Sequence, residues 1–228
     1  MAKTMRIYLA AILISALAAC SGGTGLETSQ TQTFQEIRTS FRQAIKRPRG
    51  PRPPLPKLSR AFLDSLPNPA LEAVLEDRDA SAYLDPLQIK GNVTVWSTTD
   101  LSQLITRDGL VTGTRGLGSD IVSSSYAQTL AALAARGGMA QRRLNLTNDL
   151  DQAIQVSLSC QIRDVGPETL EIVDLTFSTR HLLETCTYSG GTIVNDYWID
   201  SSDSGKIWKS RQWLGPEIGW IKLRLFGR

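Results

Sequence analysis

Short runs of apolar and β-branched residues, divided at fairly regular intervals by turn residues, are the feature that most constrains this sequence. One series lies within residues 70–112 and a second within residues 155–225. The turn signals between these runs are Asp77-Arg78-Asp79, Asp108-Gly109, Gly166-Pro167, Gly190-Gly191 and Ser204-Gly205. Many short strands at such spacing favour antiparallel pairing. We therefore predict a mainly β fold with an antiparallel sheet assembly, either a sandwich or an open barrel.

Two helices are expected beside the strands. Phe34, Ile37, Phe41 and Ile45 recur at helical spacing, so residues 33–46 are predicted as an N-terminal amphipathic helix. Its narrow apolar stripe favours docking on the domain over lying on a membrane. Residues 125–136, which precede Gly137-Gly138, are predicted as one short additional helix that ends on glycine.

The first residues have the pattern of a secretory signal. Lys3 and Arg6 precede an apolar core at residues 7–17, which is too short to stay as a membrane-spanning helix. The run Leu17-Ala18-Ala19-Cys20 resembles the lipobox of bacterial lipoproteins, which implies cleavage before Cys20 and acylation of its thiol and new amino group. Several acyl chains make a durable membrane anchor. The alternative is an ordinary cleaved signal followed by a chance cysteine.

These patterns divide the chain into four parts. We predict a signal peptide at residues 1–19, a lipidated flexible tether at 20–32, a helix with a basic, proline-rich spacer at 33–58, and a single β-rich domain at 59–228. The spacer is read either as a solvated linker or as a site for anionic head groups or an acidic polymer. The predicted location is the periplasmic face of the outer membrane.

The net charge bears on nucleic-acid binding, and the cysteine content bears on a disulfide. The formal net charge is +3, and it falls when Lys3 and Arg6 leave with the signal, so nothing indicates nucleic-acid binding. With Cys20 lipidated, Cys160 and Cys186 are the two remaining thiols of an exported chain, and we expect them to form a disulfide. A redox pair is the alternative, but C-x-x-C spacing is absent.

The sequence offers little for catalysis. His181 is the single histidine, and its strand-like surroundings favour a structural imidazole. The glycine-rich residues 113–118 resemble a phosphate loop only superficially, because no helix pattern follows, and we interpret them as a loop. Asp196, Asp200 and Asp203 lack the EF-hand order, and residues 200–205 indicate a hairpin loop instead. We predict no catalytic residue, no metal site and no cofactor.

Aromatic residues are concentrated near the C-terminal end. Trp198, Trp208, Trp213 and Trp220 lie among Lys206, Lys209, Arg211 and Lys222. Rings beside cations suit stacking on sugars and pairing with acidic sugars, whereas the same tryptophans would equally suit a core. We take Tyr197, Trp198, Arg211 and Trp213 as the candidate contact residues for a ligand or partner.

Long ordered blocks carry a resemblance to a known family. The first block is Trp96-Ser97-Thr98-Thr99-Asp100 with residues 108–120, and the second is Glu184-Thr185-Cys186 with residues 195–200, 205–207 and 209–216. Together with the lipobox, they resemble the YjbF and GfcB group of bacterial lipoproteins, which is linked to exopolysaccharide and group 4 capsule systems. The resemblance implies a mainly β periplasmic domain on the outer membrane and no catalytic motif. The spacer at residues 47–57 departs from the family pattern.

Three functions are consistent with these features. The first is a non-catalytic accessory in exopolysaccharide or capsule production or export, held to the membrane by its N-terminal lipid. It would contact polysaccharide or other proteins of that system. The second is a polysaccharide-modifying hydrolase that uses paired carboxylates. The third is a structural partner of another outer-membrane protein.

Overall fold

The computed structural model describes residues 55–227, apart from residues 149, 151 and 203. The predicted signal peptide, Cys20, the tether, the amphipathic helix and most of the proline-rich spacer lie outside the described residues. Within the described part of the chain, no helix is long and apolar enough to cross a membrane.

Strands dominate the described residues, which confirms the predicted fold class. The helices are α1 (Arg60–Ser65) and α2 (Ala127–Ala134), and a 3₁₀ turn covers Glu76–Arg78. The strands are β1 (Ala70–Leu75), β2 (Ala80–Lys90), β3 (Val93–Ser97), β4 (Gln103–Arg107), β5 (Leu110–Arg115), β6 (Ile121–Ser124), β7 (Gly137–Thr147), β8 (Ala153–Ile172), β9 (Leu175–Tyr188), β10 (Gly191–Asp200), β11 (Ile207–Trp213) and β12 (Trp220–Phe226).

All twelve strands belong to one antiparallel sheet that is nearly closed and barrel-like. Within β1–β5 and within β6–β12, each strand pairs with its neighbour in the chain, and β1 pairs with β12 through Ala70 opposite Phe226. Alternate side chains point inward and form the core. Of the two predicted architectures, the structure therefore has the open barrel, with its seam between β5 and β6.

Near that seam, the side-chain amide of Gln212 makes hydrogen bonds with backbone groups at the start of β5. Its Oε1 accepts a hydrogen bond from the Val111 N–H at 2.9 Å, and its Nε2 donates to the Gly109 carbonyl oxygen at 2.9 Å. The same Nε2 also lies 2.9 Å from Ser210 Oγ. Buried backbone groups of an edge strand need partners. The amide of Gln212, which comes from β11, thus takes the place of a paired strand residue.

Asp120 organises the loop that joins the two edge strands. Its carboxylate accepts hydrogen bonds from Thr114 Oγ1 at 2.8 Å and from the N–H groups of Gly116 at 2.8 Å and Leu117 at 3.2 Å. Thr114 Oγ1 in turn accepts from the Ile121 N–H at 2.8 Å. The glycine-rich segment is therefore a structural loop, closed by an aspartate of its own.

The hairpin of β8 and β9 differs from the sequence-based prediction. Gly166-Pro167 predicts a turn between two strands, but β8 continues through it, so that prediction is wrong. A β-bulge between Asp164 and Gly166 absorbs the irregularity. The chain reverses at Val173 and Asp174, whose φ angles of 44° and 64° are those of a type I′ turn.

The segment before β1 covers the outside of the sheet at the junction of the first and last strands. Ser59 Oγ accepts from the Phe62 N–H at 3.2 Å and caps α1. Tyr83 of β2 donates to the Pro56 carbonyl oxygen at 2.9 Å and packs edge-on against Phe226 at 5.8 Å between ring centroids. Burial, followed by the nearby Glu72 carboxylate, raises the pKa of Tyr83 to about 12.

Helix α2 lies within the predicted residues 125–136 and buries Thr129, Ala132 and Leu133. Its end differs in one respect from the prediction. Arg136, with a φ of 58°, takes the left-handed position that was expected for glycine, and Gly137 begins β7.

Candidate functional site

The four predicted contact residues occupy two different environments. Tyr197 is fully buried and Trp213 is buried, and both belong to the core. Trp198 and Arg211 are half-exposed on the outer face of β10 and β11. Strand alternation separates Tyr197 from Trp198, because neighbouring residues point to opposite faces of a sheet. It does not separate Arg211 from Trp213, which are two positions apart, and Trp213 is buried at the end of β11. The four residues therefore do not form one surface.

The inward side of β9 and β10 contains a buried polar network around Glu184. Glu184 Oε2 accepts hydrogen bonds from Arg142 Nη1 at 3.0 Å, Asn195 Nδ2 at 2.8 Å and Tyr197 OH at 2.8 Å. Its Oε1 accepts from Thr129 Oγ1 of α2 at 3.2 Å. The Glu184 network thus connects α2 and β7 with β9 and β10.

Electrostatics keep the Tyr197 phenol and the Arg142 guanidinium of this network protonated. Burial, and next the Glu184 carboxylate, raise the pKa of Tyr197 well above its ordinary value, so the phenol remains a hydrogen-bond donor. Burial opposes the charge of Arg142, but Glu184 outweighs it and raises the pKa of the guanidinium. Asn195 extends the network, since its Oδ1 accepts from the Trp213 N–H at 2.8 Å. These groups are enclosed, so they serve packing and strand register.

The predicted disulfide is present beside this network. Cys160 and Cys186 are direct cross-strand partners of β8 and β9, and their sulfurs are bonded at 2.06 Å. Their Sγ atoms and a Glu184 oxygen lie within 4.8 Å of one another. This grouping does not suit a metal ion, because the sulfurs are not thiolates and Glu184 is held by Arg142.

Trp198 lies between an imidazole and an ammonium group on the outside of the sheet. The His181 ring stacks on it at 4.4 Å between centroids with an interplanar angle of 3°, and Lys209 Nζ lies 3.9 Å from the ring centroid. His181 Nε2 lies 2.9 Å from Asp196 Oδ1 and Nδ1 lies 3.6 Å from Glu168 Oε2. The single histidine is thus bound into a cross-strand stack.

Arg211 occupies the next row of the same surface. Its guanidinium lies 4.4 Å from the Trp220 ring centroid, and its Nε donates to Glu76 Oε2 at 2.6 Å. Lys222 Nζ contacts the other oxygen of Glu76 at 2.5 Å. We call this surface the ionic face; it consists of Glu72, Glu76, His181, Asp196, Trp198, Lys209, Arg211, Lys222 and Arg224.

The carboxylates around the ionic face are paired with donors. Burial opposes ionisation of Glu76, but Lys222 and Arg211 outweigh it and lower its pKa. The hydrogen bond from Arg180 lowers the pKa of Asp164. Hydrogen bonds from Ser202 and Trp208 likewise lower the pKa of Asp200, while Asp203 lies outside the described residues. General acid catalysis by a carboxyl group needs the opposite shift.

The outer side of β6–β9 and the start of β10 has a different character. Many of its side chains are exposed or half-exposed amides and hydroxyls, and the charged Arg143 and Arg163 and the apolar Met139 lie among them. We call it the amide–hydroxyl face; it consists of Ser123, Gln141, Arg143, Asn145, Gln155, Ser157, Ser159, Gln161, Thr185, Thr187 and Thr192. A groove of about 500 Å³ runs along it beside α2.

A separate cavity of about 270 Å³ lies where the β4–β5 and β10–β11 turns meet. Trp96, Leu223 and Ile207 supply its apolar wall, and Asp108 and Lys206 lie at its rim. The Trp96 Nε1 donates to Thr106 Oγ1 at 2.9 Å, so the indole N–H already has a hydrogen-bond partner. The cavity has no grouping of free polar atoms that indicates a ligand class.

Sequence analysis missed the buried polar residues. Arg142, Glu184, Asn195 and Gln212 are all buried, and each makes the hydrogen bonds described above. The signal for Glu184 is present in the sequence, because it stands between Leu182 and Cys186 on the inward positions of a strand. A charged residue at a core position of an alternating pattern predicts a buried partner. The identity of that partner is determined by the cross-strand register.

Comparisons with known proteins agree with the fold. A family model described as group 4 capsule polysaccharide lipoprotein GfcB, YjbF, matches residues 34–226. A search of the curated proteins finds no match. The crystal structure of the hypothetical lipoprotein YmcC from Escherichia coli K12 is similar, with a TM-score of 0.64 and 21% sequence identity. The similarity covers 71% of this chain and 88% of that one.

Proposed function

Because the chain belongs to the YjbF family of group 4 capsule polysaccharide lipoproteins, we propose that it is a non-catalytic accessory in the production or export of a surface polysaccharide. The observation that carries the proposal is the family match, which extends over residues 34–226 and so includes all twelve strands. The proposed location is the periplasmic face of the outer membrane, with the lipid on Cys20 as the anchor.

The state of the carboxylates supports a role without catalysis. A hydrolase with paired carboxylates needs one that holds a proton near neutral pH and one that is free to attack or to activate water. Glu76 and Asp164 instead have lowered pKa values because they are paired with arginine or lysine. Glu72 contacts Arg224 at 2.5 Å. These groups stabilise the sheet surface.

The ionic face supplies the candidate contacts for a partner. Trp198 and Arg211 are half-exposed there, and an indole beside a guanidinium suits either an acidic sugar or a protein surface. Tyr197 and Trp213, which lie in the core, are proposed to position them from beneath. Arg211→Ala should weaken binding by about 1 kcal/mol or more while the domain stays folded. Added salt should weaken the wild-type contact between the ionic face and a charged protein partner in the same direction.

Deletion of the gene tests the proposal. Surface and secreted polysaccharide are measured in the wild type, in the deletion strain and in the strain complemented with the intact gene. We expect the deletion to lower surface polysaccharide and the intact gene to restore it. Unchanged polysaccharide in the deletion strain would contradict the accessory role.

A second measurement addresses catalysis. The purified protein is incubated with the polysaccharide, and the chain length is followed by size-exclusion chromatography. We expect no shortening of the polymer. Shortening that stops after Asp196→Asn or Glu168→Gln would establish a hydrolase and overturn the non-catalytic part of the proposal.

A further inference from the structure

We infer that the amide–hydroxyl face binds a neutral, hydroxyl-rich stretch of the polysaccharide. The inference rests on the proposed function, since it assumes that the protein meets a polysaccharide. It assigns the contact to a part of the outer sheet surface that is separate from the ionic face and extends from β6 to the start of β10. It also specifies the chemistry of the sugar, which carries hydroxyl groups rather than charges.

The face is ordered in rows across the strands. Gln141, Ser159, Thr187 and Thr192 are successive cross-strand partners on β7, β8, β9 and β10. Gln161 and Thr185 form the next row. Side chains that alternate along a strand lie about 7 Å apart and neighbouring strands about 4.8 Å apart, so the rows form a regular grid of polar groups.

The chemistry of the grid matches that of sugar hydroxyls. An amide offers both donors and acceptors, and a hydroxyl offers one donor and two acceptors, so each can pair with a sugar hydroxyl in either direction. Arg143, at the margin of the groove, and Arg163, two positions beyond Gln161 on β8, are the charged residues that border the rows. A neutral ligand that lies between them therefore displaces water without removing ions from solvent, which is the expensive step in binding charges.

The amide–hydroxyl face differs from the ionic face in the charge of its outward side chains. Outward sheet positions of this protein are not uncharged by default, since the strands from β9 through β12 to β1 carry Glu72, Arg211, Lys222 and Arg224. There the cations are already paired with Glu72 and Glu76, so an acidic ligand must compete with internal carboxylates. On the amide–hydroxyl face the groups hydrogen-bond one another, as Gln141 does with Ser159 at 3.1 Å, so a sugar hydroxyl competes only with neutral hydrogen bonds.

The backbone beneath the face is held firmly. Cys160 lies between Ser159 and Gln161, and its disulfide partner Cys186 lies between Thr185 and Thr187. The disulfide therefore clamps the two strands that supply the centre of the grid. A binding surface whose groups are already positioned loses less conformational entropy when the ligand arrives. The groove beside α2 extends this surface past Gln128 and Ser125.

A matched pair of triple variants tests the inference. One variant combines Ser159→Ala, Gln161→Ala and Thr185→Ala on the face. The control combines Ser201→Ala, Gln88→Ala and Thr176→Ala, which removes the same three side-chain types from exposed positions elsewhere. The lipidated full-length protein in detergent is titrated with fluorescently labelled surface polysaccharide purified from the bacterium that carries the gene. Thermal melts check that both variants fold like the wild type.

We expect the face variant to bind about tenfold more weakly or worse and the control to bind within about twofold of the wild type, as loss of several hydrogen bonds predicts. Raising the salt from about 50 mM to about 500 mM should change wild-type affinity by less than about twofold, because no ion pairs are involved. The inference is overturned by absence of wild-type binding, by equal losses in both variants, by no loss in the face variant, or by steep salt dependence.

The outcome is separable from that of the proposed function. If gene deletion lowers surface polysaccharide but the purified polymer binds elsewhere or not at all, the accessory role stands and the inference fails. If deletion changes nothing, the accessory role fails whatever the binding data show.

Discussion

Arg142 and Glu184 form an ion pair across 3.0 Å inside the sheet, with 3% and 0% of their side chains exposed. The two residues lie on β7 and β9, and β8 separates them in the sheet order. Their contact therefore spans the interior instead of following a strand ladder. Tyr197 and Asn195 complete the shell of donors around the carboxylate, so the charge of Glu184 is balanced within the core.

Removal of one partner of this pair should be costly. Glu184→Gln leaves the Arg142 guanidinium buried without its counter-charge, and we expect a loss of about 3–5 kcal/mol in the free energy of unfolding. Urea denaturation measures the loss. The double variant Arg142→Met/Glu184→Gln serves as the control, because it removes both charges and should be less destabilised than the single variant. A single variant as stable as the wild type would show that the pair does not hold the core.

The disulfide should stabilise the folded domain without being required for the proposed function. Cys160 and Cys186 are 26 residues apart, and loss of the crosslink is expected to cost about 3 kcal/mol by the chain-entropy model. Cys160→Ser/Cys186→Ser should therefore melt at a lower temperature. Polysaccharide output at a permissive temperature should persist, because the ladder between β8 and β9 remains. Free thiols in protein isolated from the periplasm without reductant would contradict the prediction.

Two tryptophans of the same cluster should respond differently to truncation. Trp213 is 4% exposed and packs against Tyr188 at 5.1 Å between centroids, so Trp213→Ala should cost about 3–5 kcal/mol. Trp198 lies on the outer face against His181 and Lys209, and Trp198→Ala should cost only about 1 kcal/mol. Thermal and urea melts of the two purified variants compare them directly. Equal losses would mean that Trp198 is also part of the core.

Glu76 should make the free energy of unfolding depend on pH in the acidic range. Its pKa is lowered in the folded state, so the unfolded chain binds a proton more readily than the folded one as the pH falls. Its contribution is therefore fully present above the unfolded pKa and is lost as the pH falls below the ordinary glutamate range and through the lowered folded pKa. Glu76→Gln should flatten this part of the stability curve, whereas Glu217→Gln, at an exposed turn position, should leave it unchanged.

Cys20 should be the attachment point to the membrane. Cys20→Ala is expected to yield uncleaved precursor or unattached protein, since the thiol that receives the lipid is absent. Labelled palmitate should mark the wild type and not the variant, and cell fractionation should show whether each stays with the outer membrane. Label in the variant, together with outer-membrane fractionation, would exclude the lipobox interpretation.

Much of the fold was predictable because local signals agree with it. The apolar runs and turn residues predict strands within residues 70–112, and β1 and β3 lie there. The Asp108-Gly109 signal lies at the turn between β4 and β5. The turn at Val173 and Asp174 was missed, because the β-branched Val173 is atypical of a left-handed position.

The site was less predictable, because its contacts are non-local. Trp198 and Tyr197 are adjacent in sequence, and only their burial separates an outer contact residue from a core residue. The bond between Gln212 and the backbone of Val111 joins residues 101 positions apart. Single-sequence patterns carry the period of a strand but not its partner or its register. Composition thus indicated which residue types matter, and the sheet determined which surface each belongs to.

The pairing of β1 with β12 has a consequence for how the protein folds. The first strand of the sheet finds one of its two neighbours only when the last strand is available, because Ala70 faces Phe226 and Leu75 faces Ile221. Such distant pairing slows folding and delays cooperative closure of the sheet until nearly the whole chain is present. A chain that lost its final ten residues would expose the edges of β1 and β11 together. Closure of the sheet thus requires contact between its earliest and its latest strand in the sequence.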